Sequence, residues 1–305
     1  MNKYIILTIT LFLFLFNIDT VLFSVKDASL LFFNKLFISI FPFIILCDIL
    51  IHYNYPLFIK NSFIGKIISK IFNIDYNSTT IFILSVFSSH PNNAIYIKNM
   101  LDNKLIDIKT ANKILCFTYF PSIAFVIGTI GITIYNDIKI GIYLYLCCFI
   151  NNVLIGLFLR KQTCNFIYNL DDTQKKDNFF NLLKNSIIKA INSLYIILGN
   201  LIIFTIILNI IYHYFDITPI VKSILSGILE LTNGIINTNN MNTDINLKIY
   251  ITSFILNFSG LCVLFQSFSI LSDYKIDIKK ILIIKLIFSL ITSSMMQIVF
   301  CLLPF

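Results

Sequence analysis

Long apolar stretches with almost no charged residues recur along the chain, separated by short polar segments. At a rise of about 1.5 Å per residue, helices of this length can cross a hydrocarbon core about 30 Å thick. The predicted spans cover residues 4–23, 36–51, 114–134, 140–159, 191–212 and 281–303. The pattern therefore predicts an all-α, polytopic membrane protein with about six full spans and the lipid bilayer as its surroundings.

Two other apolar stretches are interrupted by polar residues near their middle. Stretch 78–101 contains Ser88, Ser89, His90, Pro91, Asn92 and Asn93. Stretch 248–271 contains Asn257, Ser259, Gly260 and Gln266. Irregular backbone at membrane depth is tolerated only where protein or a water-filled cavity satisfies its polar groups. We predict that each stretch is a re-entrant helical hairpin that enters the membrane and turns back.

The order of elements suggests two repeats joined by a linker. Each half contains a span, a short amphipathic segment, a broken hairpin, a charged turn and a further span. Ile106-Asp107-Ile108-Lys109 after the first hairpin recurs as Ile276-Asp277-Ile278-Lys279 after the second. The predicted divisions are an N-terminal anchor helix 1–26, a first Gate-like repeat 27–160, a linker 161–189 and a second Gate-like repeat 190–305.

The linker gathers the densest group of Lys and Arg residues, so the positive-inside rule predicts that it is cytoplasmic. The second half then begins from the opposite side of the membrane, which gives an inverted-topology repeat. In such repeats the paired discontinuous helices meet at a midplane substrate site. The same topology places four lysines outside, against the rule. They are Lys275, Lys279, Lys280 and Lys285.

Composition and charge narrow the functional classes. Hydrophobic residues make up 57% of the chain and charged residues 12%, too few to coat a soluble globule. The net charge of +8 is scattered between apolar runs, so it does not form the basic face that nucleic acid would require. The seven cysteines form no CxxC pair, and no nucleotide, zinc-protease or hydrolase motif is present. We expect no enzyme activity, no metal and no cofactor.

Glu230 is the strongest single candidate for function. It is the only glutamate in the chain and lies in the nearly uncharged stretch 224–236. A carboxylate at membrane depth is costly and by default suggests a functional role, such as a ligand of a coupling cation (H+ or Na+) or a proton carrier. The alternative is an interfacial Glu at a helix end.

The polar residues of the interrupted stretches complete the candidate substrate or ion site. Neutral amides and hydroxyls can hold a small anionic solute or a cation, but they also join helices to one another. His90 could act as a proton-linked switch or could satisfy freed backbone carbonyls. Besides Glu230, the candidates are Ser89, His90, Asn92, Asn93, Thr232, Asn233, Asn257, Ser259, Gly260 and Gln266.

Several short motifs, in order along nearly the whole chain, carry a family resemblance. They are Ser88-Ser89-His90-Pro91-Asn92-Asn93-Ala94, the charged turn 101–115, Gly128-Thr129-Ile130-Gly131, Leu229-Glu230-Leu231-Thr232-Asn233-Gly234 and Ser259-Gly260-Leu261-Cys262-Val263. Together they resemble the YlbJ/SpoVV-type sporulation integral membrane proteins, which carry nucleoside-recognition or Gate domains.

The resemblance implies a multi-pass bacterial membrane protein of the outer forespore membrane, associated with transport of dipicolinic acid during sporulation. The alternatives are a carrier of nucleosides or other solutes, and a non-transporting membrane scaffold or gate subunit.

Overall fold

The computed structural model of the chain describes residues 2–53, 55–162 and 178–302. The α-helices are α1 Asn2–Phe16, α2 Ile18–Leu31, α3 Phe37–His52, α4 Tyr55–Asn61, α5 Phe63–Phe72, α6 Tyr76–Ser88, α7 Asn92–Asp102, α8 Ile108–Cys116, α9 Ile138–Phe158, α10 Phe179–Tyr214, α11 Pro219–Leu229, α12 Leu231–Asn239, α13 Ile245–Phe258, α14 Gly260–Ile270 and α15 Ile278–Leu302. Two π-helical segments, Phe32–Leu36 and Ala124–Ile134, and a 3-10 turn, Leu159–Lys161, complete the regular structure of these ranges.

The all-α, polytopic architecture is confirmed. Four of the described helical segments are long and apolar enough to cross a membrane, or up to six if each of two bent pairs is one span. The four are Ile138–Lys161, Phe179–Tyr214, Ile245–Ile270 and Ile278–Leu302.

The predicted anchor 1–26 is not one straight helix. The segments Leu7–Phe16 and Ile18–Asn34 meet at 90° on either side of Asn17. The Asn17 side chain donates a hydrogen bond to the Leu13 carbonyl (2.8 Å), which gives this backbone a partner where the helix stops. From Ile18 the helical backbone continues through the π-helical turn to His52. The predicted span 4–23 is therefore wrong, whereas span 36–51 agrees with α3 to within one residue at each end.

Residues 76–102 form a helical hairpin, made of α6 and α7. Asp75 caps α6 by accepting a hydrogen bond from the Ser78 amide (3.0 Å). Asn77, at the start of the hairpin, donates to the Leu105 carbonyl just after its end (3.0 Å). The hairpin therefore begins and ends at the same level of the protein, with Ser89, His90 and Pro91 at its turn.

The prediction of a re-entrant hairpin at 248–271 is wrong. Helices α13 and α14 follow one another as a single span, Ile245–Ile270, interrupted at Ser259 and Gly260, which have φ angles of 75° and 71°. The polar break is real, but the chain continues across the protein after it. The hairpin of the second half is instead formed by α11 and α12.

Two glycines allow α11 and α12 to pack as a hairpin. A Cβ atom placed on Gly234 would lie 2.2 Å from the Cα of Gly227, so the two backbones touch at this point. Close backbone approach through small residues is a common basis of helix packing in membranes. The turn of this hairpin is at Glu230.

The predicted span 114–134 is also interrupted. Helix α8 ends at Cys116, and helical structure resumes only at the π-helical segment Ala124–Ile134. Pro121 lies in the break and has no amide hydrogen to continue a helix. Each half therefore contains a hairpin, a broken span and an uninterrupted span, in that order.

One face of the protein collects the loops next to the linker, and we call it the linker face. Asn112 in the middle of α8 contacts the loop before α15, donating to the Lys275 carbonyl (3.3 Å) and accepting from the Asp277 amide (2.7 Å). Lys280 donates to the Gln162 side chain at the start of the linker (3.2 Å).

The placement of Lys275, Lys279, Lys280 and Lys285 outside, opposite the linker, is therefore corrected. Because segment 245–270 crosses the protein instead of turning back, the loop after it lies on the linker face. Lys285 does not belong to that loop, because it lies within α15 and is fully buried. The conflict with the positive-inside rule is removed. Residues 163–177 of the linker lie outside the described residues.

Cysteine labelling can test this topology. Ser272 is exposed on the linker face, whereas Asn240 is exposed after the second hairpin, close to Asn239, which accepts a hydrogen bond from Lys248 (2.8 Å). If the linker face is cytoplasmic, Ser272→Cys should react with an impermeant maleimide only in permeabilised cells, and Asn240→Cys should react in intact cells. All native cysteines, including Cys164 of the linker and the exposed Cys301, are replaced by serine in both variants. Equal labelling of both variants in intact cells would contradict the topology.

Candidate functional site

A cavity of about 280 Å³ lies where the turns of both hairpins and the breaks of both broken spans come together. It is lined by Leu36, Ile40, Ser89, His90, Pro91, Pro121, Ser122, Ala124, Phe125, Thr129, Ile197, Leu201, Glu230, Leu231, Thr232, Cys262, Val263 and Gln266. The wall is thus mainly apolar with a few polar groups, which is the usual composition of a small-molecule site.

The turn of the first hairpin is joined to the break of the first broken span. The His90 amide donates to the Phe120 carbonyl (2.7 Å), and the Asn93 side chain donates to the Thr118 hydroxyl (3.2 Å). From α9, Asn152 donates to the Tyr119 carbonyl (2.8 Å). These bonds give partners to backbone groups that the missing helical turn leaves open, as the membrane interior requires.

The turn of the second hairpin is joined to the break of the second broken span in a similar way. A Cβ atom on Gly260 would lie 3.2 Å from the Leu231 amide nitrogen and 3.3 Å from the Gly227 carbonyl oxygen. Two features therefore favour glycine at position 260. A side chain would crowd the backbone of the second hairpin, and the φ angle is positive.

Glu230 is the N-cap of α12. One carboxylate oxygen accepts the Thr232 amide (2.9 Å) and the other accepts the Asn233 amide (2.7 Å). The residue is only 5% exposed, yet it lines the cavity. A negative charge at a helix N-terminus is favoured by the helix dipole. The carboxylate is thereby held at membrane depth by its own helix and does not project into water.

Four half-helices begin at the cavity. The lining includes Pro91 before α7, Ala124 at the start of the π-helical segment, Leu231 at the start of α12 and Cys262 in the first turn of α14. The N-terminus of each half-helix carries a partial positive charge. The cavity is therefore positively polarised by the backbone on several sides and holds one carboxylate.

The predicted site residues divide into two groups. Ser89, His90, Glu230, Thr232 and Gln266 line the cavity. The others stand behind the lining at the turns and breaks, and they are Asn92, Asn93, Asn233, Asn257, Ser259 and Gly260.

This second group forms packing and hydrogen-bond contacts. Asn92 donates to the Ser88 carbonyl (2.8 Å) within the first hairpin. Asn257 donates to the Ser293 hydroxyl on α15 (3.1 Å). The contacts of these two amides therefore fit the alternative in which polar residues join helices to one another.

Sequence reasoning missed Lys285. Its side chain is fully buried, its ammonium nitrogen lies 3.2 Å from the Ser259 hydroxyl oxygen, and it sits 4.9 Å from the centre of the Tyr119 ring. The available signal was a lone lysine inside the apolar run 281–303, which we grouped with the loop lysines just before it. Ser122 and Thr129, which line the cavity, carried no signal of their own.

Comparison with known proteins gives one distant relative. The chain is 21% identical over 300 residues to the sporulation integral membrane protein YlbJ of Bacillus subtilis (strain 168). The alignment covers 86% of this chain and 73% of the relative. No family model and no solved structure matches the sequence. The chain is thus distantly similar to one sporulation integral membrane protein, and its own apolar helices support a multi-pass membrane protein.

Proposed function

We propose that this protein is a membrane transporter for a small anionic metabolite, with dipicolinic acid as the substrate that the resemblance implies. The observation that carries the proposal is the cavity walled by the first turns of four half-helices, with a hairpin turn from each half at its edge. Discontinuous helices from two repeats that meet at one site are typical of secondary transporters.

The hairpins provide a physical basis for alternating access. The first hairpin is anchored next to the linker face, where the Asn77 side chain donates a hydrogen bond to the Leu105 carbonyl. The second hairpin is anchored near the opposite face, where Lys248 donates a hydrogen bond to the Asn239 carbonyl. Both turns reach the same cavity from these opposite sides. Movement of one hairpin would open the cavity to one face while the other hairpin keeps it closed to the other face.

The electrostatics of the cavity favour an anion of small size. Half-helix N-termini attract negative charge, and the hydroxyls of Ser89, Ser122 and Thr232 can donate to carboxylate oxygens. Glu230 already has both oxygens bonded to backbone amides, which reduces its repulsion of an anionic solute. A cavity of about 280 Å³ suits a single small ring better than a large metabolite.

A carrier of nucleosides or similar neutral solutes is the second candidate. The observation that favours it is the pair Glu230 and Gln266 in the lining, because a carboxylate and an amide suit the hydroxyl and amino groups of an uncharged polar solute. A non-transporting scaffold or gate subunit is the alternative of another class, and it predicts no flux of any solute.

Uptake into proteoliposomes tests the proposal. We expect the purified protein to take up labelled dipicolinate at least about tenfold faster than a labelled nucleoside, a difference of about 1.4 kcal/mol. Faster nucleoside uptake would favour the second candidate, and no uptake of either solute would favour the scaffold.

Thiol labelling ties this flux to the cavity. In a background without native cysteines, Ser122→Cys in the lining should react with a small methanethiosulfonate reagent, and dipicolinate should slow the reaction. The matched control is Asn92→Cys, which lies behind the lining and should stay unreactive. Ser259, another of the candidate residues, also lies outside the lining. Unchanged labelling of Ser122→Cys with substrate would contradict a substrate site in this cavity.

A further inference from the structure

Lys285 joins the breaks of the two broken spans. Its ammonium nitrogen lies 3.2 Å from the hydroxyl of Ser259, in the break between α13 and α14. On another side it lies 4.9 Å from the ring centre of Tyr119, in the break after α8. Both contacts are at residues where the helical hydrogen-bond ladder stops. The lysine itself is on the uninterrupted helix α15 and is completely buried.

The Lys285 ammonium is buried where water cannot solvate its charge. Within residues 2–53, 55–162 and 178–302, its ammonium forms no ion pair with a carboxylate. The titratable groups that face it are Cys116 on α8, Cys148 on α9 and His90 at the turn of the first hairpin. An intramembrane lysine without a carboxylate partner is costly and marks a functional position by default.

Two buried acceptor atoms belong to the same breaks. Asn152 binds the Tyr119 carbonyl through its nitrogen, and Asn257 precedes Ser259 by two residues. The amide oxygens of both side chains are buried, and no donor contacts them within the part of the chain that the structure describes. The Ser259 hydroxyl and the Tyr119 ring face contact the Lys285 ammonium, whereas the two amide oxygens do not. All four are neutral, electron-rich groups of the kind that hold a cation.

In carriers with discontinuous helices, coupling cations are held at the helix breaks by unwound carbonyls and half-helix ends. We propose that the Lys285 ammonium permanently occupies the place that a coupling metal cation takes in such a site, so that this protein neither binds nor requires Na+ there. Of the two coupling cations considered from the sequence, Na+ and H+, the proposal rejects Na+. Its consequence for transport rests on the proposed function, but the occupancy of the site does not.

Thermal unfolding of the purified full-length chain in detergent tests the occupancy without any substrate. The protein is compared in NaCl, KCl and choline chloride at equal ionic strength. We expect the wild-type Tm to be the same in all three salts within about 1 °C, since no site is open to a metal cation. A wild-type Tm that is higher in NaCl than in choline chloride by about 3 °C or more would overturn the proposal.

Two variants at the same position separate charge from packing. Lys285→Ala removes the ammonium and leaves space beside Ser259, so Na+ or methylammonium should raise its Tm by about 3 °C or more over choline. Lys285→Met removes the charge but fills the space beside Ser259, so neither Na+ nor methylammonium should raise its Tm over choline by more than about 1 °C. A Lys285→Ala protein that responds to no cation would overturn the proposal. If that variant is not recovered, a Lys285→Met protein whose Tm rises by about 3 °C or more in NaCl over choline would overturn it.

Flux gives an independent reading that separates this proposal from the proposed function. Wild-type uptake of dipicolinate should be unchanged when a Na+ gradient is replaced by choline. Uptake that falls tenfold or more in choline would overturn the role of Lys285 and leave the transporter proposal standing. No uptake of any solute would instead overturn the proposed function, while the salt dependence of the Tm would still decide the occupancy of the cation place.

Discussion

Glu230→Gln is expected to lower solute uptake at least about a hundredfold, a loss of about 2.7 kcal/mol. The carboxylate lines the cavity and accepts one backbone amide with each oxygen, from Thr232 at 2.9 Å and from Asn233 at 2.7 Å. A glutamine has one oxygen, so its NH2 group would face one of these two N–H donors and could not accept from it. The negative charge that the first turn of α12 surrounds would also be lost.

The variant should still fold and insert, because loss of an N-cap costs about 0.5–2 kcal/mol. Uptake into proteoliposomes and the Tm in detergent measure the two effects separately. Glu230→Asp is the matched control, since aspartate keeps the charge and is a preferred N-cap residue. We expect its uptake to exceed that of Glu230→Gln at least about tenfold. If Glu230→Gln transports normally at a normal membrane level and across pH, Glu230 is only a helix cap.

A large loss of stability is expected for Gly234→Ala. The added methyl group would lie 2.2 Å from the Gly227 Cα and 2.5 Å from the Gly227 nitrogen. Both atoms belong to the backbone, so no side chain can move aside, and α12 must separate from α11. Forced overpacking of this kind costs about 3 kcal/mol or more. For a chain of this size, that loss lowers the Tm by about 6 °C or more in detergent.

Gly199→Ala is the matched control for Gly234→Ala. Gly199 lies within α10, and a Cβ atom placed on it would meet no other atom within 4 Å. Alanine is favoured over glycine inside a helix by about 1 kcal/mol, so this control should be neutral or slightly more stable. The expected difference therefore arises from the contact between the two hairpin helices. A Tm within about 1 °C for the two variants would show that the helices can separate without loss of stability.

The sequence located the helix breaks better than it located the hairpins. Polar residues at 88–93 and at 257–260 mark real interruptions, because backbone at membrane depth is left irregular only where other groups satisfy it. The first break folds the chain back, and the second lets it continue across. The polar residues at the turn near Glu230 predict a binding site and not a hairpin, and the hairpin forms because Gly227 and Gly234 let two backbones touch.

The candidate site was predicted in the same partial way. The cost of a charge in lipid singled out Glu230, and the cavity lining contains it. The same cost applies to Lys285, but its neighbours in the sequence are loop lysines, so the sequence did not single it out. Its place in the interior follows from its burial and from the position of the 271–277 loop on the linker face. Among the polar residues of the two interrupted stretches, nothing in the sequence separates lining residues such as His90 from supporting residues such as Asn93.

The sequence by itself therefore determined the bilayer surroundings of this protein, its helical class, two of the positions at which helices are interrupted and Glu230 as a candidate residue. These follow from the cost of exposing polar groups to lipid, which acts on each residue wherever its helix goes. The tertiary structure alone decided which breaks turn the chain back, which face each loop occupies, and which polar side chains reach the cavity. These depend on the helices that pack on either side of each break, and residues as distant as Lys285, Ser259 and Tyr119 come together only when those helices are in place.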